Sequence, residues 1–242
     1  MQLLSEQQCS QYRDAGYLVV RRLFEPDTAR RMIDHYMAAR AAGPLPGDFG
    51  GTPDHPEDPT HRYPRMINMH DWDPPSAQWA TAARLQSIVR QLIDDEPVLR
   101  QTMIYFKPPR GRGQGLHQDA QFIAVEPLLG VWVALDPSDE PVGPMTVIPG
   151  SHKLGVLPVE AADTAVSFTE VQSVLPEDAE TVGVTMEPGD TLFFDGKTIH
   201  GSDANHTTDR WRRSFICHYV GKHSRDFRPE PGNHVSHLLD RS

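Results

Sequence analysis

The sequence of 242 residues is poor in cysteine and contains only Cys9 and Cys217, too few for a framework of disulfides. It also lacks an apolar run long enough to span a membrane. Its first residues, MQLLSEQQCS, have neither the basic start nor the long apolar run of a signal peptide. From these absences we expect a cytoplasmic protein that does not work in a membrane.

Positive charge is also scarce, because 23 Lys and Arg residues face 33 Asp and Glu residues, for a net charge of −10. Nucleic acids and anionic membranes attract basic patches, so neither is expected as a partner. The length allows a sizeable hydrophobic core.

The first part of the chain predicts helices around one short strand. Residues 1 to 43 have the pattern helix, strand, helix, and Ser5 with Gln8 fits a capping box at the first helix. The second helix is predicted to turn one apolar face inward, formed by Ala29, Met32, Ile33, Tyr36 and Met37. A further helix is predicted over Ser76–Asp94.

The segment between residues 43 and 75 has no periodic pattern and is dense in Pro, Gly, Asp and His. Long loops inside compact domains often serve as lids or binding loops. A surface insertion without a function would have the same composition, so both interpretations stay open. Its candidate substrate contacts are Arg65, Met66, Asn68 and His70.

After Pro97 the pattern changes to short apolar runs separated by turn residues, which predicts a β-sandwich or barrel. The predicted strands are QTMIYFK, QFIAV, LLGVWVALD, PMTVIPG, VGVTM, DTLFFD and RRSFICHYV. The polar segment after Val220 is expected to lie over the surface. Helices first and strands later indicate an α+β organisation.

The stretch GQGLHQDAQF places His117 and Asp119 two residues apart. Alternate side chains of an extended chain point to the same face, so both could face one metal ion. The best candidate for a third ligand is His200, in FFDGKTIHGS. Two histidines and one carboxylate form the facial triad of non-heme Fe(II) oxygenases. Taken alone, His-x-Asp is more often a pair of polar surface residues than a metal site.

The stretch RWRRSFICHYV opens with Arg210, Arg212 and Arg213. If the co-substrate is 2-oxoglutarate, its distal carboxylate needs a cation, and arginine offers a planar, permanently charged partner. A solvated charged turn is the competing interpretation.

Four stretches together resemble the phytanoyl-CoA dioxygenase family: LHQDAQF, GVWVALDPSDEPVGPMTVIPGSHKLG, EPGDTLFFDGKTIHGS and RWRRSFICHYV. The resemblance covers about Gln101 to Val220, and GYLVVRRLFEPDTARRMI resembles the usual opening of the family. It implies a mainly β fold with flanking helices, in which N-terminal helices pack on a double-stranded β-helix, the cupin-like jelly roll.

The resemblance also implies roles for single residues. The iron ligands and catalytic residues would be His117, Asp119 and His200. The residues that contact 2-oxoglutarate would be Arg212, Ser202 and Trp132. Arg213 is the alternative to Arg212, because a slip of one residue turns every side chain of a strand over. Trp132 could equally be a core aromatic, and the role of Lys107 stays open.

The expected activity is oxidation of a small-molecule substrate by Fe(II), O2 and 2-oxoglutarate, with hydroxylation as the favoured outcome and succinate and CO2 as co-products. Natural-product metabolism is one setting for it. Halogenating relatives lack the carboxylate ligand, so the presence of Asp119 argues against halogenation. The alternative is a cupin-like metal-binding protein, or a metal-dependent dioxygenase that does not use 2-oxoglutarate.

We expect residues 1–242 to form a single oxygenase domain. Its parts would be a helical region to about residue 98, which includes the loop or lid 43–75, a jelly-roll core of about 99–220, and a tail, 221–242. Gln118 and Gln121, beside the predicted iron ligands, are further candidates for substrate contact.

Overall fold

The computed structural model describes residues 3–49 and 59–226. The helices in these ranges are α1 (Glu6–Ala15), α2 (Pro26–Ala41), α3 (Pro74–Ala80) and α4 (Ala83–Ile93). The capping box is confirmed, because Ser5 Oγ accepts from the Gln8 N–H and Gln8 Oε1 accepts from the Ser5 N–H. None of the helices that the structure describes is long and apolar enough to cross a membrane.

The prediction of a single helix over Ser76–Asp94 is wrong, because the helix is interrupted after Ala80 and divides into α3 and α4. The Thr81 hydroxyl donates to Ala77 O, and Ala82 is extended, with φ −54° and ψ 129°. A threonine that satisfies a carbonyl of the preceding turn favours such an interruption. After the break, α3 contacts β4 and α4 contacts β4, β6 and β13.

The strands are short except for three long central ones. In chain order they are β1 (Tyr17–Val20), β2 (Asp48–Phe49), β3 (Arg65–Ile67), β4 (Pro97–Lys107), β5 (Gln114–His117), β6 (Val125–Ala134), β7 (Met145–Val147), β8 (Val159–Ala161), β9 (Val171–Ser173), β10 (Val182–Val184), β11 (Thr191–Asp195), β12 (His200–Ser202) and β13 (Arg212–Asp226).

Two antiparallel sheets form the core of the fold. The larger has the order β1-β11-β6-β13-β4-β3-β2, and the smaller has the order β10-β7-β12-β5. Strands β8 and β9 form a separate hairpin. This architecture confirms the predicted class, a mainly β fold with a jelly-roll core and flanking helices.

Side-chain alternation gives the larger sheet two different faces. On β6, Val131 and Val133 pack into the core with the helices, whereas Trp132 and Ala134 pack toward the smaller sheet. The same period of two is expected wherever both faces of a sheet are covered. The helices therefore cover one face, and the other face is left to enclose a site between the sheets.

Three expectations about the chain's course need correction. QFIAV is not a strand, because Asp119–Gln121 form a 3-10 turn and β6 begins only at Val125. Strand β13 continues to Asp226, so the tail cannot begin at residue 221.

The 43–75 segment is not wholly a loop, since β3 pairs with β4 and Met66 is buried in the core. Residues 50–58 lie outside the described residues.

Gly113 approaches the backbone beyond β12 so closely that no side chain fits there. A Cβ atom on Gly113 would lie 2.2 Å from Ser202 O. We expect Gly113→Ala to lower the free energy of unfolding by about 1–3 kcal/mol, as overpacking generally does. Urea denaturation followed by circular dichroism measures the loss.

Gly115→Ala is the matched control, because the nearest atom to its Cβ would be Gln172 Cβ, at 3.2 Å. Gly115→Ala should lower the free energy of unfolding clearly less than Gly113→Ala does. Equal losses at the two positions would contradict the close approach at Gly113.

Candidate active site

The three predicted ligands come together in the space between the two sheets. His117 ends β5 and pairs directly with His200, the first residue of β12. The ring centroids of these histidines are 4.3 Å apart. One nitrogen of each histidine and one oxygen of Asp119 all lie within 4.8 Å of one another, and all three residues are buried. The structure thus brings together the three residues that the sequence nominates as ligands.

Backbone carbonyls select the tautomer of both histidines. His117 Nδ1 donates to Gly115 O and His200 Nδ1 donates to Thr198 O, each over 2.9 Å. A carbonyl can only accept, so the hydrogen of each neutral ring must sit on Nδ1. The Nε2 lone pairs then face Asp119 Oδ1, at 3.6 Å and 3.7 Å. This arrangement orients both rings for a metal ion.

Asp119 reaches the site from a turn rather than from a strand. Gln118 is extended, with φ −117° and ψ 132°, and Asp119 opens the 3-10 turn that follows. One extended residue between the ligands is enough to place both on the same side. The expected alternation therefore holds for the pair, although β5 ends at His117.

Gln118 and Gln121 do not line the cavity, contrary to their suggested role as substrate contacts. Both side chains are buried and hold neighbouring loops. Gln118 Nε2 donates to Gly155 O and Lys197 O, and Gln121 Nε2 donates to Leu157 O. They brace the turn that carries Asp119.

His218 is a site residue that sequence reasoning missed. Its Nε2 donates to Asp119 Oδ2 over 2.8 Å, and its side chain is buried. Asp119 Oδ1 stays directed at the two histidines. A signal was available, since Arg212, Ile216 and His218 fall on the same face of a strand. The sequence alone did not show that this face meets Asp119, 99 residues away.

The protonation states at neutral pH suit a cation site. Burial, followed by repulsion from His117, lowers the pKa of His200 to about 4, so its ring is neutral. Burial alone would raise the pKa of Asp119, but attraction to His218 and His200 outweighs it and holds that pKa well below its usual value. An ionised carboxylate beside neutral imidazole nitrogen is the donor set that divalent iron accepts.

Arg212 is the buried cation of the site. It is only 1% exposed, and its Nε and Nη1 have no hydrogen-bond partner among the described residues. Burial lowers the pKa of Arg212 to about 10, so the guanidinium remains charged at neutral pH. Its guanidinium carbon lies 5.3 Å from the ring centroid of Trp132. A buried charge without a counterion is costly, so this side chain is suited to an anion.

The neighbouring arginines are engaged elsewhere. Arg213 donates two hydrogen bonds to the Asp136 carboxylate, from Nε over 2.7 Å and from Nη2 over 2.8 Å. Arg210 Nη2 donates to Asp139 over 2.8 Å. The geometry therefore favours Arg212 over Arg213 as the group that faces the cavity.

Ser202 and Trp132 line the same cavity of about 360 Å³ as the three ligands and Arg212. Lys107 is buried behind Ser202, and its Nζ donates to Ser202 Oγ over 2.9 Å and to Gly143 O over 3.2 Å. Burial, followed by repulsion from Arg212, holds the pKa of Lys107 well below its usual value. Its contacts indicate that Lys107 supports Ser202 from behind.

Of the candidate contacts in the 43–75 segment, only Arg65 lines a cleft. Met66 lies in the hydrophobic core. The Asn68 N–H donates to Thr102 O, and His70 Nδ1 contacts Thr102 Oγ1 at 3.0 Å. These contacts attach the segment to β4.

A family model described as phytanoyl-CoA dioxygenase (PhyH) matches residues 12–214. A curated protein of Mus musculus, phytanoyl-CoA dioxygenase domain-containing protein 1, is 31% identical over 160 residues, which cover 63% of this chain and 55% of the relative. The chain thus spans about half the length of the curated relatives that it matches.

Two solved structures share the fold. EvdO2 from Micromonospora carbonacea var. aurantiaca superposes with a TM-score of 0.75 at 21% identity, over 94% of this chain and 95% of that chain. The epimerase SnoN, from nogalamycin biosynthesis and in complex with Fe3+, alpha ketoglutarate and nogalamycin RO, superposes with a TM-score of 0.73 at 19% identity, over 96% and 91%.

Proposed function

The chain belongs to the phytanoyl-CoA dioxygenase family, and from this premise we propose that it is an Fe(II)- and 2-oxoglutarate-dependent oxygenase that hydroxylates a small molecule. One observation carries the proposal. The buried and unpaired guanidinium of Arg212 opens into the same cavity as two histidines and a carboxylate within 4.8 Å of one another.

The metal would be held by His117 Nε2, His200 Nε2 and Asp119 Oδ1. Three protein ligands of this type leave coordination positions for other molecules and suit non-heme iron. When bound, iron supplies with O2 and 2-oxoglutarate the oxidising power to attack a C–H bond, and succinate and CO2 are released. The donor set contains no thiolate and needs none.

The co-substrate would place its distal carboxylate on Arg212. Iron(II), one aspartate and a doubly charged oxoacid sum to a single negative charge, which Arg212 neutralises inside the protein. Ser202 Oγ accepts from Lys107, so its own hydrogen is free to be donated to that carboxylate. The Trp132 ring lies beside the guanidinium, with its centroid 5.3 Å from the guanidinium carbon.

The remaining walls would keep water from the reacting atoms. Met103, Met145, Phe194 and Ile216 line the cavity with apolar surface. In such surroundings charges interact more strongly than in water, and competing reactions are suppressed.

The reaction outcome and the substrate are parts of the proposal. An epimerase, SnoN, has the same fold, so the fold does not determine the reaction outcome. We propose hydroxylation because it is the simplest outcome of attack on a C–H bond. Asp119 occupies the position of the carboxylate ligand, so halogenation is not proposed. A role in natural-product metabolism agrees with the nogalamycin complex of SnoN. We further propose that residues 1–242 contribute to one oxygenase domain.

One contact favours a second function, a metal-binding jelly roll that does not use 2-oxoglutarate. The Trp132 ring lies near Arg212 and offers the cation a partner without any oxoacid. The second function predicts that 2-oxoglutarate leaves the spectrum of bound iron unchanged.

Anaerobic addition of Fe(II) and 2-oxoglutarate should therefore produce a visible charge-transfer band. We expect Arg212→Gln to weaken 2-oxoglutarate binding by about 100-fold, because a bidentate charged contact is lost. Titration of the band measures the affinity.

Arg213→Gln is the control for charge and strand position. It breaks the pair with Asp136 and should lower stability, yet leave the affinity for 2-oxoglutarate within about threefold of wild type. Iron binding without a band would support the second function. A larger effect at Arg213 than at Arg212 would reverse the assignment of the two arginines.

His218 should position Asp119 so that a single oxygen faces the metal. We expect His218→Leu to weaken Co(II) binding by about 10- to 100-fold, as loss of a hydrogen-bond partner of a ligand generally does. His218→Gln keeps an N–H donor and should recover part of the affinity. The absorption bands of Co(II) report whether the ligand geometry changes.

A purely structural role for His218 predicts a different pattern. Both variants would then lower thermal stability, while the Co(II) spectrum and affinity would remain those of the wild type. That result would remove His218 from the site.

A further inference from the structure

A second cleft, of about 430 Å³, adjoins the cavity of the three ligands. We call it the outer cleft, and its described walls come from Phe49, Tyr63–Arg65, Tyr105–Lys107, Arg112, Phe168 and Arg212. Tyr105 and Arg212 also line the inner cavity. A molecule in the outer cleft therefore touches side chains that also wall the space beside the metal ligands.

The outer cleft is basic in an acidic protein. Arg65, Lys107, Arg112 and Arg212 line it, and no acidic side chain does so among the residues that the structure describes. The whole chain carries a net charge of −10. Cations gathered in a cleft raise the local concentration of anions and hold them there.

Three of these basic side chains already have contacts that explain their positions. Lys107 supports Ser202, and Arg212 faces the inner cavity. Arg112 Nη1 donates to Ser167 O over 2.9 Å and also to Thr164 O. These contacts leave Arg65 to be explained.

Arg65 is held by aromatic rings rather than by a carboxylate. Its guanidinium carbon lies 4.5 Å from the ring centroid of Phe49, 5.1 Å from that of Phe168 and 5.6 Å from that of Tyr105. Its one hydrogen bond to a described residue runs from Nη1 to the Tyr105 hydroxyl, over 3.1 Å. Rings hold the flat faces of a guanidinium, whereas its N–H groups point outward along the edges and are available to an anion.

We propose that Arg65 forms an anion subsite of the outer cleft, and that the substrate carries a carboxylate on a flat or apolar body. The carboxylate binds the edge of Arg65. The body packs on the rings of Phe49, Tyr105 and Phe168, and the carbon to be oxidised points past Tyr105 into the inner cavity. This inference rests on the proposed function and names the substrate class for it.

The aromatic walls support the second half of the proposal. Tyr105 and Phe168 meet edge to face, with ring centroids 5.9 Å apart, and form one continuous corner. Flat and apolar groups gain most from such walls, because both the buried area and the ring geometry favour them. A very polar substrate would bury little apolar area against these rings.

The test compares two probes with the same apolar body, 4-phenylbutyrate and 4-phenylbutyramide, in which the carboxylate is replaced by an uncharged amide. Isothermal titration of the metal-free protein gives the affinity of each. We expect wild type to bind the acid more tightly than the amide. Arg65→Gln should weaken binding of the acid by about 10- to 100-fold and leave the affinity for the amide unchanged.

Two further variants sharpen the comparison. Arg65→Lys keeps the positive charge and should retain part of the preference for the acid. Arg100→Gln removes the same charge from an exposed position on β4 outside the cleft, and should change nothing. Thermal unfolding of each variant shows whether the fold is intact.

Three results would overturn the proposal. These are no binding of the acid to wild type, equal binding of acid and amide, and an Arg65→Gln variant that binds the acid as wild type does. If Arg65→Gln weakens the binding of 2-oxoglutarate as strongly as Arg212→Gln does, Arg65 belongs to the co-substrate site. The proposal fails in that case as well. Because the probes are measured without metal, failure of the iron and 2-oxoglutarate reaction would leave a positive result for the subsite standing.

Discussion

The double pairing of β13 is the constraint on which the site depends. This strand is hydrogen-bonded to β4 on one side and to β6 on the other, so its register is fixed from both edges. Arg212 and His218 consequently face the inner cavity, while Phe215 and Tyr219 pack into the core with the helices. A slip of one residue would exchange the two sets and bury a guanidinium among apolar side chains. Core packing and site geometry are therefore the same requirement.

Electrostatic balance links the two cavities. The protein buries Lys107 and Arg212 close to each other, at directly paired positions of β4 and β13. Repulsion from Arg212 disfavours the charged form of Lys107, and backbone carbonyls and Ser202 accept hydrogen bonds from Lys107 alone. The remaining imbalance lies at Arg212, on the side that faces the three ligands. An uncompensated buried charge is costly, and the proposed co-substrate would offset this one.

Much of the site could be predicted because its residues lie in local patterns. His117 and Asp119 follow one extended stretch, and Arg212 opens a strand with a recognisable alternation. The partner of Asp119 could not be predicted, since His218 comes from a strand 99 residues away. The break between α3 and α4 was also missed, because helix periodicity continues through Thr81 and only tertiary packing shows where the axis turns. Strand β3 was hidden by the composition of its surroundings, and Met66 marks it only after its burial is known.

The three predicted ligands differ in how they are held, and this difference assigns roles to the elements around them. His117 and His200 are placed by paired strands, and each ring is fixed by a carbonyl two residues before it. Asp119 has no strand of its own, and its turn is anchored where the Ala120 N–H donates to Gly196 O. Its carboxylate would rotate freely without a second restraint, since one torsion sets which oxygen faces the histidines. The hydrogen bond from His218 supplies that restraint, so the longest strand of the sheet carries both the buried guanidinium of Arg212 and the residue that holds the Asp119 carboxylate.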